Sequence, residues 1–397
     1  MDRIAFIFGE TFIYWSSIIL ALAAAASVCL FLGFYLRREG NGLSAAVVIP
    51  LAIVFSVVFA RFMHWYCRAD SYLSFASAMT NYGSGGYALM GVFAGCALAA
   101  LILRLTKVTE NLPFLLDCMS VAGCGGIAVG RLACFFNSQD RGQIVESVQS
   151  LPWVYPVINA VSSAQEFRLA TFVIQAMVTG VIFVILVAFL FLTDKKSRDG
   201  DLTLIFLLLY CASQVALDST RYDSLFFRSN GFVSIVQVLS AMGLGLGAIV
   251  FSVRLVKRNG FRGWYIALWV AFAGLMGLGG YMEYYVQRHG DQPVFAYSWM
   301  SAALVGIVFV VLVIRFLSQL DMGPVSFVEK RPGSAPAKGK KEKQDRREKK
   351  SVFPAKPARE ETYRYTLEQP TGRPEEKPAE YISLEKLGLP SDLFSEE

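Results

Sequence analysis

Residues 43–63 read LSAAVVIPLAIVFSVVFARFM, and Arg61 is the single charged side chain among them. A helix rises about 1.5 Å per residue, so a segment of this length crosses the roughly 30 Å hydrocarbon core of a bilayer. Lipid offers no partner for backbone N–H and C=O groups, whereas an α-helix satisfies them within the segment itself. The stretch therefore predicts a membrane-spanning helix.

Eight further stretches share this character, and together they predict an all-α fold, a polytopic transmembrane helix bundle of about nine spans. Composition agrees, because 55% of the residues are hydrophobic and only 17% are charged, against about 25% charged residues in a typical soluble domain. The predicted spans are 12–36, 43–63, 86–106, 114–133, 169–193, 201–218, 232–255, 264–286 and 296–317.

Basic residues in the short loops predict the orientation, since Lys and Arg accumulate on the cytoplasmic side. They recur in alternate loops, so we expect the N-terminus outside and the C-terminus in the cytoplasm. Asp2 and Glu10 precede the first apolar run, which lacks the basic region and cleavage site of a signal peptide, so we expect a retained span. The basic loop residues are Arg37, Arg38, Arg104, Lys107, Lys195, Lys196, Arg198, Arg254, Lys257, Arg258 and Arg262.

The C-terminal segment 321–397 is polar, Pro-rich and basic, with its densest charge between Lys338 and Lys350. It contains too little apolar surface to offset the entropy of ordering, so we expect a disordered tail. Two interpretations stay open. The tail binds anionic lipid, at about 1 kcal/mol per basic residue, or it is solvated and only helps to set topology.

Cysteine and histidine do not predict a metal or cofactor site. The seven cysteines form no CxxC pair, and His64 and His289 are the only histidines. We expect no cofactor and no nucleic acid partner.

Polar groups inside or at the rim of the spans are the candidates for function, because they are costly in lipid. Arg131 follows a Gly-rich run, and its planar guanidinium suits a phosphate oxygen. The alternative is an interface anchor that extends to the lipid headgroups. Tyr210, Gln214, Asp218 and Arg221 are spaced to share one helical face. That stripe is either a functional surface or a hydrogen-bonded seam between helices.

Taken in order, these stretches resemble the prolipoprotein diacylglyceryl transferases, bacterial inner-membrane enzymes of seven spans. The resemblance covers residues 10–258. Its strongest part is similar to the family signature Gly-Arg-[Ile/Leu]-Gly-Asn-Phe-x-Asn-Gly-Glu-x-x-Gly, and it comprises Gly130, Arg131, Leu132, Phe135, Asn137 and Gly142. Supporting parts are Ala60 and Arg61, Gly85 and Gly86 with Gly91 and Gly95, Tyr210 to Arg221, and Gln237 to Ser240.

The resemblance implies transfer of the diacylglyceryl group of phosphatidylglycerol, or another anionic lipid, to the cysteine thiol of a lipoprotein precursor. Its catalytic residues would be Arg131, Tyr210 and Arg221. Its substrate-binding residues would be Arg61, Asn137, Gly142, Gln214, Asp218 and Gln237. It also implies a location in the bacterial plasma membrane and a seven-span core of 1–258. Two additional helices within 259–320 and the tail of 321–397 have no counterpart in the family, and we expect that the tail could recruit a protein partner.

The chain departs from the family pattern at named positions. Met90 stands where the family has a His, and Gln214 stands where it has an Arg. Cys134, Gln139 and Asp218 replace an Asn and two Glu residues. A catalytically degenerate paralogue, acting as a lipid-binding or membrane assembly factor, is therefore the second interpretation. A transporter is the third, although no internal repeat supports it.

The predicted orientation has a direct test. Green fluorescent protein fused after Glu397 should fluoresce, and alkaline phosphatase fused there should be inactive, because the tail is expected in the cytoplasm. Fusions at residue 222 serve as the matched pair and should behave in the opposite way. An active phosphatase after Glu397 would reverse the orientation.

Overall fold

The computed structural model describes residues 4–9, 11–38, 40–81, 85–137, 139–145, 154–158, 165–193, 199–227, 233–289 and 293–320. All of them fall within one compact unit, Met1–Phe327. The tail predicted to be disordered, 321–397, lies outside the described residues.

Within those residues the chain forms ten α-helices and two short antiparallel hairpins. The hairpins pair β1 (Ile4–Phe8) with β2 (Thr11–Tyr14) and β3 (Val154–Ile158) with β4 (Gln165–Leu169). The helices are α1 (Trp15–Arg37), α2 (Gly42–Cys67), α3 (Phe75–Thr80), α4 (Leu89–Leu105), α5 (Leu112–Gly130), α6 (Thr171–Thr193), α7 (Asp201–Ser219), α8 (Ile235–Asn259), α9 (Tyr265–His289) and α10 (Pro293–Gln319).

The predicted all-α polytopic bundle is confirmed. Eight helices are long and apolar enough to cross a membrane, and each corresponds to one predicted span. Their outer surfaces carry large apolar side chains such as Leu192, which is 85% exposed, and Phe309, which is 67% exposed. Exposed surface of this kind suits lipid rather than water.

The third predicted span, 86–106, is shorter than expected. Its helix α4 has 17 residues, a length of about 26 Å. Gly85 and Gly86 have φ of +70° and +83°, a left-handed conformation that a right-handed helix excludes. Ala88 is extended, and its N–H donates to Ala60 O at 3.1 Å. The chain therefore enters α4 only at Leu89.

One further predicted boundary was wrong for a local reason. The first span begins at Trp15 rather than residue 12, because Thr11–Tyr14 pairs with Ile4–Phe8. The fourth predicted span, 114–133, lies within the apolar span Leu112–Phe135. The α-helix of that span ends at Gly130, and Arg131–Phe135 continues it as a 3-10 turn.

Small residues set the helix contacts in the first half of the bundle. A Cβ added at Gly91 of α4 would lie 2.6 Å from Ala60 Cα of α2, which is closer than packed atoms approach. One turn on, a Cβ at Gly95 would lie 2.8 Å from Ser56 Cα. Glycine therefore lets the backbones of α2 and α4 touch, as is common between membrane helices.

The helices α9 and α10 pack against α7 and α8 through a shared apolar core. Leu208, Leu244, Met300 and Ile307 in that core are fully buried. At one end of the core Asp201, the first residue of α7, pairs with Arg254 of α8 and lies 3.4 Å from Arg315 of α10.

The α2–α4 contact can be tested by adding one methyl group. Gly91→Ala should lower the free energy of unfolding by about 2 kcal/mol, the scale of overpacking in a well-packed core. Thermal unfolding of the full chain in detergent measures this. Gly123→Ala in α5 is the matched control, because no atom of the described residues beyond its own stretch of helix lies within 4 Å of the added Cβ. Equal melting of the two variants would contradict the close contact.

Candidate functional site

The site is built around Arg131, which opens the 3-10 turn after α5. Its guanidinium hydrogen-bonds the Asp140 carboxylate at Oδ2. Asp140 has φ of +56°, a left-handed conformation that Asp tolerates better than most residues. This backbone turn brings the carboxylate back onto the end of the helix.

Asp140 also binds a second arginine. Arg221 Nη2 lies 2.5 Å from Asp140 Oδ1, so each carboxyl oxygen faces its own guanidinium. The Asp140 N–H donates to Asp223 Oδ2 at 2.9 Å, and the Cys134 thiol donates to Asp140 Oδ2 at 3.4 Å. One carboxylate thus joins two arginines that lie far apart in sequence.

Arg221 contacts three carboxylates in all. Besides Asp140, it lies 3.3 Å from Asp218 Oδ1 and 3.0 Å from Asp223 Oδ1. We call Arg131, Asp140, Asp218, Arg221 and Asp223 the ion cluster. With every member ionised, its two positive and three negative charges leave it one charge negative.

The pairing shifts the pKa of Asp140 and of Arg221, which lie outside the spanning helices. Burial alone would raise the pKa of Asp140, but the guanidinium groups of Arg131 and Arg221 outweigh it and lower the pKa to about 2. Burial would lower the pKa of Arg221, and Asp140, Asp223 and Asp218 instead raise it. Both groups therefore stay charged at neutral pH.

Gly142 holds the returning chain against α6. Its N–H donates to Leu169 O at 2.8 Å, and an added Cβ would lie 2.7 Å from Thr171 Oγ1, so only glycine fits. Gly142 also forms an isolated antiparallel bridge with Arg221. Next to it the Gln143 N–H donates to Thr220 O at 3.0 Å. The backbone thereby places Arg221 beside Asp140.

The stripe predicted on α7 is buried, but Arg221 is not on the helix. Tyr210, Gln214 and Asp218 are each at most 2% exposed. The helix ends at Ser219, so Arg221 lies in the following turn, where its N–H donates to Asp218 O at 3.1 Å. The expectation that one helical face presents all four residues was therefore wrong.

The buried residues of α7 differ in how closely they approach the ion cluster. The Tyr210 hydroxyl is buried and lies beside Arg131. Asp218 belongs to the cluster and accepts a hydrogen bond from the Ser234 hydroxyl. Gln214 is not part of the cluster, and its Oε1 accepts a hydrogen bond from Gln175 Nε2 of α6 at 3.4 Å.

Two predicted substrate-binding residues instead hydrogen-bond nearby backbone. Asn137 Oδ1 accepts from the Gln139 N–H at 3.0 Å and so shapes the turn before Asp140. Gln237 forms a capping box with Ser234 at the start of α8, and its Nε2 donates to Val215 O at 3.2 Å. They support the segments that carry the ion cluster.

Arg61 lies outside the ion cluster and is fully buried. Its guanidinium donates to four carbonyl groups of the segment before α4. They belong to Ala78 at 2.6 Å, Asn81 at 2.7 Å, Gly86 at 3.0 Å, and Gly85. The Arg61 guanidinium therefore fixes that segment on the end of α2.

The structure also shows the surroundings of residues that depart from the family pattern. Met90 is partly buried and packs with the apolar cluster that contains Phe206 and Tyr210. Gln139 is exposed, whereas its neighbour Asp140 is buried. Among the described residues, no group of three or more His, Cys, Asp or Glu side chains is arranged to hold a metal ion.

Asp140, Asp223 and Arg141 were not predicted as site residues. The Arg141 side chain donates to Asn137 O at 2.7 Å across the same turn. A signal for Asp140 was present, since a buried guanidinium such as that of Arg131 requires a counter-charge nearby. Asp140 is the first acidic residue after it. Asp223 gave no comparable signal.

The helices and the ion cluster define a multi-pass membrane protein with a paired-arginine site at one end of its bundle. The family model for prolipoprotein diacylglyceryl transferase matches residues 3–253. The chain therefore belongs to the prolipoprotein diacylglyceryl transferase family. The matched region contains α1 to α7 and most of α8, whereas α9 and α10 lie beyond it.

Curated relatives agree with this family. The chain is 26% identical over 265 residues to the phosphatidylglycerol–prolipoprotein diacylglyceryl transferase of Clostridioides difficile (strain 630), covering 65% of this chain and 97% of the relative. It is 27% identical over 260 residues to the transferase of the same name from Acaryochloris marina (strain MBIC 11017), covering 63% and 90%. The same name belongs to a Lactococcus lactis relative that is 26% identical over 260 residues, covering 65% and 97%.

Asp140 should support the stability of the whole site. Asp140→Asn leaves two guanidinium groups without their shared carboxylate and should lower the free energy of unfolding at pH 7 by about 3 kcal/mol. Thermal unfolding in detergent measures the loss. Gln139→Ala, an exposed neighbour, is the matched control and should change it by less than about 0.5 kcal/mol.

The effect should also depend on pH. Because the folded pKa of Asp140 is about 2 and the ordinary value is 3.8, its stabilisation is present above about pH 4 and lost as pH falls towards 2. The difference between wild type and Asp140→Asn should therefore shrink over that range. A constant difference would exclude the ion pairs as its cause.

Proposed function

We propose that this protein transfers the diacylglyceryl group of phosphatidylglycerol, or of another anionic lipid, to the cysteine thiol of a lipoprotein precursor in a bacterial plasma membrane. The family supports this activity at the level of reaction class. The observation that carries it is the convergence of Arg131 and Arg221 on one carboxylate, Asp140.

The reaction needs positive charge where the leaving group departs. The thiolate attacks the glyceryl carbon that bears the phosphate ester, and an S–C bond forms while the C–O bond breaks. Glycerol phosphate leaves with the electron pair and gains negative charge. Pre-organised guanidinium groups stabilise charge of this kind by several kcal/mol. In the proposed role Arg131 and Arg221 bind the phosphate.

The buried position of the pair supports that role. The side chains of Arg131 and Arg221 are only 13% and 12% exposed, so their interaction with an anion is poorly screened by water. Tyr210 adds a hydroxyl beside Arg131. A phosphate oxygen that replaces one Asp140 contact would meet both a guanidinium and a phenol.

A degenerate paralogue is the second candidate, and the charge of the ion cluster favours it. Its three carboxylates already neutralise both arginines. Gln214, where the family has an Arg, is hydrogen-bonded to Gln175 instead of supplying a third positive charge. In that case the bundle would bind lipid or assist membrane assembly without turnover. The basic tail would attract anionic lipid or recruit a protein partner.

Complementation separates the two candidates. The full chain is expressed in a strain depleted of its own transferase, and diacylglyceryl on a lipobox peptide is detected by mass spectrometry. Product is expected with the wild-type chain. Growth failure without product, while phosphatidylglycerol still copurifies with the protein, would establish the degenerate paralogue.

Arg131 should be essential for turnover. Arg131→Ala should lower it by about 100-fold or more, the scale of losing one transition-state charge contact. Turnover is measured with the same peptide and purified protein. Arg104→Ala, which removes an exposed arginine at the end of α4, is the matched control and should stay within about twofold. An Arg131→Ala variant with normal turnover would refute the assigned role.

A further inference from the structure

A polar cavity of about 420 Å³ lies where α2 ends, next to the turn that carries the ion cluster. Its walls come from α2, from the segment that precedes α4, and from Gln139. With the N-terminus outside, the loops that follow the second and fourth spans are predicted to face outward, and these loops form the cavity. The lining residues include His64, Ser71, Tyr72, Ser77, Asn81 and Gln139.

His64 is held in this cavity by a defined contact. His64 Nδ1 and the Tyr72 hydroxyl share a hydrogen bond of 2.7 Å, and the two rings are perpendicular with centroids 5.8 Å apart. The imidazole is half-buried, and no described residue hydrogen-bonds its Nε2. One ring nitrogen is therefore oriented and the other is available.

The surrounding backbone is shaped to fit this pair. Gly86 has φ of +83°, and an added Cβ would lie 2.5 Å from the Tyr72 hydroxyl and 2.9 Å from His64 Nδ1. Arg61 donates to the carbonyls of Gly85 and Gly86 in this turn, and its guanidinium lies 4.9 Å from the centre of the Tyr72 ring. The backbone at Gly85 and Gly86, held by Arg61, therefore packs directly against the His64–Tyr72 pair.

The cavity borders the ion cluster in two ways. Gln139 lines the cavity and is followed directly by Asp140. Arg68, just after α2, donates through Nη2 to Asp223 O at 3.3 Å. Substrate groups bound at the cluster and in the cavity would therefore be neighbours.

Thiol alkylation requires a proton acceptor, because a free cysteine with a pKa of about 8.5 is only slightly ionised at neutral pH. The carboxylates of the ion cluster are committed to guanidinium groups. Met90 has no group that accepts a proton at this pH. A neutral imidazole has a ring nitrogen that can accept this proton.

We propose, on the basis of the function proposed above, that His64 is the general base that deprotonates the substrate thiol and that the cavity binds the cysteine-bearing end of the precursor. Nδ1–H donates to the Tyr72 oxygen, which leaves Nε2 as the acceptor. The S–H bond breaks as its proton moves to Nε2. The thiolate then attacks the glyceryl carbon, and the C–O electron pair leaves with glycerol phosphate.

The test is His64→Asn in the full-length protein, assayed with phosphatidylglycerol vesicles and a lipobox peptide. Asn places an N–H near the position of Nδ1, so it preserves the Tyr72 contact while it removes the acceptor. We expect kcat to fall by about 100-fold or more, with the KM for lipid changed by less than about threefold. His289→Asn, which removes the only other histidine, should leave kcat unchanged.

The pH profile distinguishes a base from a structural residue. The charged groups facing His64 are Arg61 and Arg68, and Tyr72 is its titratable partner. Wild-type kcat/KM should fall on the acid side as His64 becomes protonated. In His64→Asn that limb should disappear, and the rate should rise with the ionisation of the thiol itself above about pH 8.

Several outcomes would overturn the proposal. Near-normal kcat in His64→Asn, or an unchanged acid limb, would refute the role of His64 alone. Absence of product with the wild-type chain would refute the transferase function and this role with it. If His64→Asn does not fold, Tyr72→Phe decides, since it keeps the imidazole and should lower kcat by about tenfold. Normal kcat and an unchanged acid limb in Tyr72→Phe would then refute the assignment.

Discussion

The carboxylate of Asp140, shared between Arg131 and Arg221, is the interaction on which the site depends. Placing a guanidinium inside a membrane protein is costly unless a counter-ion meets it. Asp140 meets two, one from the end of α5 and one from the turn after α7. The positive φ of Asp140, the close contact at Gly142 and the backbone bridge to Arg221 all position this one group.

The same interaction limits what the arginines can bind. A phosphate competes for them with Asp140, and for Arg221 also with Asp218 and Asp223. A gain in binding would therefore have to exceed the loss of existing ion pairs. In the proposed reaction the leaving phosphate acquires additional charge, so it competes best in the transition state. An enzyme accelerates a reaction by binding the transition state more strongly than the substrate, and this competition would have that effect.

The fold was largely predictable because lipid imposes a simple rule on the sequence. Each span must be apolar, long enough and helical, and the second span follows that rule from residue 43 to 63 within α2. The errors arose where protein contacts set the boundary. Arg61 binds the carbonyls of Gly85 and Gly86, and α4 begins only after this segment. At the end of α7 the Ser224 hydroxyl donates to Asp218 O at 2.8 Å, and the chain turns there, so that Arg221 lies outside the helix.

The site was less predictable, because its partners are joined through space. Arg131 and Arg221 stand at recognisable motif positions, but nothing in the spacing assigns them to a single carboxylate. The family signature has its acidic residue at the position of Gln139, which is exposed. The buried acid is Asp140, one residue later. A motif match does not detect this shift of one residue, yet the shift determines which side chain binds Arg131 and Arg221.

The contact of Tyr297 has a consequence for how a substrate could approach. Its hydroxyl donates to Ser219 O at 3.2 Å, two residues before Arg221, and it lies 3.4 Å from Gln143 Nε2. Together with the pairing of Arg315 and Asp201 near the other end of α7, it attaches α10 along the full height of the bundle. On the side of α7 that α10 covers, the helix contacts protein instead of lipid acyl chains. A lipid diffusing within the bilayer would therefore have to enter from another side.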